Sequence, residues 1–212
     1  MPEQDATRPA TVRRLRDVGL DDLSAVGGKA ARLGDAHRVG CPVPPGVILT
    51  TELYRRFMWQ GGLAGEIASI LSTMQPTVLA HFQAAEWAIH SAFAVRRIPD
   101  EIREAVAAAL DELGAKVVAV RSSALNEDSP RQSFVGQHDT FLGVEGPNAA
   151  VEAVVACWLS LFSARALAYA SRFQVDLLSS AMAVLIQPEL PLDAQGSLFT
   201  ADPTTGNPDV FL

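Results

Sequence analysis

The sequence predicts a mixed α/β chain, with a few buried strands inside a mostly helical outer layer. Two observations carry that prediction. Short apolar runs rich in β-branched residues, bounded by turn residues, recur at 47–49, 117–120, 140–144 and 181–187, which is the pattern of strands. Around them lie longer stretches with apolar residues at helical spacing, above all 66–113 and the segment that begins at Pro147. The composition agrees: 49% hydrophobic and 19% charged residues in a chain of 212 support a packed core of one large or two small domains.

Charge and cysteine usage narrow the class further. A net charge of −7 leaves no basic surplus to neutralise a nucleic-acid backbone, although a local cationic pocket for a small anion remains open. Cys41 and Cys157 are the only cysteines and have no metal-like spacing, which fits a reducing cytoplasm. The first 17 residues lack an apolar core and do not read as a signal peptide. The most apolar stretch, 153–164, is too short to span a bilayer, so no membrane partner is expected.

In chain order, residues 1–9 read as a loose tail, and 11–18 as an ambiguous segment with an edge strand as one option. Ser24 to Val39 holds a helix start: Gly27 and Gly28 precede Lys29, then Ala30, Ala31, Leu33, Ala36 and Val39 follow at helical spacing, and Gly40 is a natural stop. Cys41 to Gly46 is a proline-stiffened turn leading into a strand at 47–49. Thr50 or Thr51 then caps a helix carrying Leu53, Tyr54, Phe57 and Met58.

Glu66–Met74 and Val78–Ala94 read as two helices, the second with Leu79, Phe82, Ala85, Trp87, Ile89 and Phe93 on its apolar face. Pro99 starts a third, which Gly114 ends. From Pro147 a long helix with a stripe from Val151 to Leu167 reads as core packing. Residues 181–187 form a buried strand, and 197–200 another.

The stretch 117–144 carries the chemistry. An apolar strand ends on Arg121, and a polar loop with Ser122, Ser123, Asn126, Glu127 and Asp128 follows. A cation at a strand end beside a small-residue loop suits a polyphosphate; a structural ion pair accounts for such an arginine equally often. A second signal is Gly27-Gly28-Lys29 at a helix start, where free N–H groups and the dipole favour an anion. It is not a Walker A loop, because Leu23 stands where that pattern needs glycine and Ala30 replaces its Ser/Thr. A lysine exposed on a surface helix is the alternative reading. His81 and His90 lack a second ligand at metal spacing.

Four stretches, VGGKAARLGDAHRVGCPVPPGVILTTELY, IPDEIREAVAAALDELG, VRSSALNEDSPRQSFVGQHDTFLGV and CWLSLFSARALAYASRF with MAVLIQPEL and SLFTADPTTG behind it, occur in a familiar order. The chain resembles the N-terminal nucleotide-binding region of the phosphoenolpyruvate synthase, pyruvate phosphate dikinase and rifampicin phosphotransferase family. The resemblance implies an ATP-grasp type fold cut before its last strands. It implies a helical first subdomain over 1–114, with 148–172 as an element that packs back on it, and a β-rich second subdomain over 115–212.

It also implies that ATP donates a phosphoryl group, through a phosphohistidine on another domain, and leaves AMP. Residue by residue, Lys29 and Arg121 match the family's phosphate-binding cations. Gly136 and Thr140 match positions bordering the nucleotide, and Gln187 matches the strand end that reads the adenine edge. Mg²⁺ is implied with the ATP, its ligands expected mostly beyond this chain, so the missing remainder of the enzyme, in cis or in trans, is the expected partner. His138 stands where relatives carry glutamine, and Pro188 lacks an N–H for a nucleotide. By this resemblance the chain alone is inactive. A non-catalytic, partner-binding module on the same scaffold is the alternative.

Overall fold

The computed structural model describes residues 10–75, 78–125, 139–191, 196, 201, 202, 205 and 207. Among them, five strands form one antiparallel sheet in the order β1-β2-β5-β3-β4, with β1 Val12–Arg14, β2 Val47–Leu49, β3 Val117–Ala124, β4 Thr140–Glu145 and β5 Met182–Pro188. β1 and β2 come from before residue 114 and the other three from after it, so strands from both ends of the chain share this sheet.

Side chains alternate across a strand, and here the alternation sorts the core into two clusters. Val47, Leu49, Met182, Val184 and Ile186 face the larger cluster; Ile48, Ala183 and Leu185 face a smaller one. The smaller cluster is closed by helix α1, Leu23–Arg38, through Val26, Ala30 and Ala31. Helices α2 Thr51–Trp59, α3 Leu63–Thr73, α4 Leu79–Ala94, α5 Asp100–Leu113, α6 Gly146–Leu159 and α7 Ala164–Phe173 contribute their buried residues to the larger one. A sheet covered on both faces needs apolar residues at successive positions, which explains the unbroken run of β5.

Several expectations need correction. Thr50 occupies the N-cap of α2 without a capping hydrogen bond: its hydroxyl donates to Ala10 O at 2.8 Å, and that of Thr51 donates to Ser24 O at 2.9 Å. Leu79 and Trp87 do not belong to the buried face of α4; they are 64% and 73% exposed, because that face needs only Phe82, Ala85, Ile89, Ala92 and Phe93. The long helix after Pro147 is two helices. A 3₁₀ turn at Ser160–Phe162 breaks it, and Ser163 caps α7 by accepting from Ala166 N at 3.2 Å.

By length and composition Gly146–Phe173 could cross a membrane, but 61% of its apolar window is buried, and α6 and α7 pack on α5 and α4. The segment before α1 contains the edge strand β1 and then a 3₁₀ turn, Leu15–Asp17. The expected strand at 197–200 and tail at 1–9 lie outside the described residues.

Trp158 anchors the larger cluster. It is fully buried, stacks on Phe57 at 5.1 Å and meets Tyr54 edge-on at 5.8 Å. Trp158→Ala is therefore expected to cost about 3–5 kcal/mol in urea unfolding, whereas Trp87→Ala should stay within about 0.5 kcal/mol. Equal effects would contradict the assignment of the two tryptophans.

Candidate functional site

The site is built where α1 meets the C-terminal half of β3. α1 is not regular: Gly27, with φ 75° and ψ 169°, interrupts it, so the helix proper restarts at Gly28. This break lets backbone touch backbone. A Cβ on Gly27 would lie 1.9 Å from Ser123 O. The Ala30 N–H donates to Ser123 Oγ at 3.0 Å, and one residue earlier the Lys29 ammonium donates to Ser122 O at 2.8 Å. Neighbouring residues of one strand thus hold both the helix start and the lysine head.

Strand pairing supplies the other groups. Arg121 lies opposite Leu185 on β5 and opposite Thr140 on β4, and Leu185 faces α1. Partners directly across a sheet share a face, so Arg121 and Thr140 lie on the α1 side. Gln187, two residues beyond Leu185, shares that face by parity. Its amide N–H donates to Pro44 O at 3.0 Å, and its carbonyl oxygen accepts from Arg121 Nη1 at 3.5 Å. The second distance is at the limit for a hydrogen bond, so Gln187 is anchored by Pro44 and only lightly by Arg121. Among the described residues, Arg121 Nε is buried and has no hydrogen-bond partner.

Lys29, Arg121, Thr140 and Gln187, singled out from sequence, therefore share one side of the sheet. Gly136 and His138 lie outside the described residues. Sequence reasoning missed two contributors, Ser123 and Pro44; it placed Gly27 at a helix start, and the structure has the helix restart directly after it. The polar loop was expected to begin at Ser122, but β3 continues to Ala124. Ser122 and Ser123 are both fully buried, and nothing in their type signals that.

Behind β3, on α6, Cys157 is buried and its thiol donates to Asp139 O at 3.9 Å. Burial first, and the Asp139 charge second, push its pKa up to about 12, with the Lys29 ammonium acting in the opposite sense. Among the described residues, no cluster of three or more His, Cys, Asp or Glu could hold a metal ion.

Residues 23–212 match the model of the pyruvate phosphate dikinase AMP/ATP-binding domain. The chain belongs to this family. The phosphoenolpyruvate synthase of Aeropyrum pernix is 40% identical over 205 residues, covering 92% of this chain and 25% of that protein. A Streptomyces rifampicin phosphotransferase is 39% identical over 195 residues, covering 91% of this chain and 22% of its own length. A probable phosphoenolpyruvate synthase of Methanothermobacter thermautotrophicus is 32% identical over 204 residues, covering 93% and 30%. The chain thus spans only 22% to 30% of the length of these curated relatives.

Three outcomes follow from the geometry of this AMP/ATP-binding family member. Gly27→Ala must place a side chain at positive φ against a strand carbonyl, and should cost at least about 3 kcal/mol by chemical denaturation; a loss below about 1 kcal/mol would contradict the contact. For the cysteines, Cys41 is exposed and Cys157 buried. A thiol reagent at pH 8 should label only Cys41 in the folded protein, and both residues after unfolding. The raised pKa of Cys157 stabilises the fold fully below the ordinary value of 9.0. That contribution declines as pH rises from there toward about 12, because the unfolded thiol ionises first. Stability that held constant across this window would contradict the shift.

Proposed function

We propose that the chain is the ATP-binding portion of a phosphoenolpyruvate synthase-like phosphotransferase, an enzyme that converts ATP to AMP while passing a phosphoryl group through a histidine on another domain. The observation that carries this reading is the convergence of Lys29 and Arg121 on neighbouring positions of β3: the ammonium bonds the carbonyl of the residue next to Arg121. The family match supports the nucleotide class. The names of the relatives, phosphoenolpyruvate synthase and rifampicin phosphotransferase, support the reaction class.

In this reading the two cations divide the work. The lysine is a compact point charge on a flexible stem, and the arginine is a planar fork suited to two phosphate oxygens. Both offset charge that develops on a transferring phosphoryl group. Gln187, Thr140 and Gly136 border the nucleotide in this reading. The fold is of the ATP-grasp type, with subdomains that divide near Gly114. Mg²⁺ enters with ATP. Among the described residues no cluster of three or more His, Cys, Asp or Glu is present; in this reading the Mg²⁺ ligands lie mostly outside this chain, and no step is assigned to the ion here. A cytoplasmic location belongs to the same reading.

Calorimetric titration with Mg-ATP tests the proposal on the chain itself. The wild type should bind without turning ATP over. Arg121→Ala and Lys29→Ala should each weaken binding about tenfold or more, the loss expected for a charge-assisted contact of about 1.5–3 kcal/mol. No heat from the wild type, or undiminished affinity in both variants, would sink the nucleotide assignment.

A further inference from the structure

We propose that Ser123 is a positioning residue that caps the start of α1 from a different element and thereby sets the place of Lys29. The idea rests on the reading of Lys29 as a phosphate ligand and adds to it how the lysine is held. A helix leaves its first N–H groups without intrahelical partners. In most helices the residue before the first turn supplies a side-chain oxygen. Here that residue is Gly27, which has no side chain and sits at positive φ.

The oxygen comes instead from β3: Ser123 Oγ accepts from Ala30 N at 3.0 Å. Ala30 is the third residue after the break, the position an ordinary capping side chain would serve. Ser123 and Ala30 are both fully buried, so water cannot replace the hydroxyl at no cost. Gly27 is required by the same contact, since any Cβ would collide with the Ser123 carbonyl.

Lys29 lies between these fixed points. Its backbone is one residue from the capped N–H, and its ammonium is held at 2.8 Å by Ser122 O. The carbonyl and the hydroxyl belong to consecutive residues of one strand, directly after Arg121. Removing the hydroxyl frees the helix start, and with it the lysine, while β3 and Arg121 keep their pairing with β5. Ser123 touches no ligand in this scheme; it acts through Lys29.

The test uses Ser123→Ala and Ser123→Cys, the second keeping the volume with a poor acceptor, each checked for folding by thermal melting. The chain has two lysines, Lys29 and the exposed Lys116, so competitive acetylation followed by mass spectrometry reads Lys29 against an internal reference. Lys29 reactivity relative to Lys116 should rise about threefold or more in Ser123→Ala, and Mg-ATP affinity should fall about tenfold, the size of a lost buried cap.

In a Lys29→Met background the same serine substitution should change ATP affinity less than twofold, because its route runs through the lysine. An equal loss with and without Lys29 would make Ser123 a general stabiliser and overturn the proposal. So would unchanged acetylation and affinity in a folded Ser123→Ala or Ser123→Cys. If the wild type binds no ATP, the nucleotide reading fails, and the acetylation ratio alone decides whether Ser123 places Lys29.

Discussion

The contact between the backbone of α1 and the backbone of β3 governs where Lys29 sits. Helices usually meet sheets through side chains. At Gly27 the missing Cβ removes that spacer, and the chain packs directly on the Ser123 carbonyl. A lysine two residues later therefore reaches the strand with its ammonium on a backbone oxygen. Had residue 27 carried a side chain, α1 would have to withdraw, and Lys29 would lose Ser122 O. The glycine is thus not a loosening element. It trades the conformational cost of positive φ for a close approach that no other residue permits.

The register of β3 against β5 does the rest. Because side chains alternate, a shift by one residue would send Arg121 into the larger apolar cluster and bring Val120 to the α1 side. Val118, Val120 and Ala124 on β3, with Met182, Val184 and Ile186 on β5, hold that register by burial. Arg121 is consequently placed by its apolar neighbours, not by its own bonds. Among the described residues, its contact within hydrogen-bond range, to Gln187, is long at 3.5 Å, and its buried Nε has no hydrogen-bond partner. A buried donor left unpaired costs about 1–3 kcal/mol. An anion that accepted from it would recover that energy, as the proposed phosphate role of Arg121 requires. A satisfied ion pair, the alternative reading of an arginine at this position, would have no such gain.

What could be read from the sequence follows from what each signal reports. Periodicity reports burial averaged over a face, so α5 and β2 were legible almost to the residue. Periodicity says little about which end of a face is covered. Leu79 and Trp87 fit the stripe of α4 and yet stand in solvent. Nor does it register a break that leaves the apolar pattern intact, as at Ser160–Ser163. Lys29 and Arg121 were found as residue types in suggestive settings and by resemblance. Ser123 was not, because a serine in a buried strand looks like a serine in a loop until its acceptor role is seen. Its partner is the backbone N–H of Ala30, and a backbone group leaves no mark in a one-letter code.

The overall charge of the chain bears on the proposed binding of a polyphosphate. A chain at −7 repels a polyphosphate at long range. Screening limits that repulsion to about 8–10 Å at ordinary ionic strength. Attraction must therefore arise inside that distance, from groups whose solvent has been partly removed, where each charge–charge contact is stronger than at an open surface. Arg121 and Lys29 are each only partly exposed. Their backbones are fixed by sheet pairing and by a capped helix start. Such positions need little rearrangement when a ligand arrives, and the entropy of ordering two long side chains is partly met in advance. Under the proposed function, the field of the whole molecule opposes entry of the polyphosphate, and two cations placed beforehand beside a strand end would offset it.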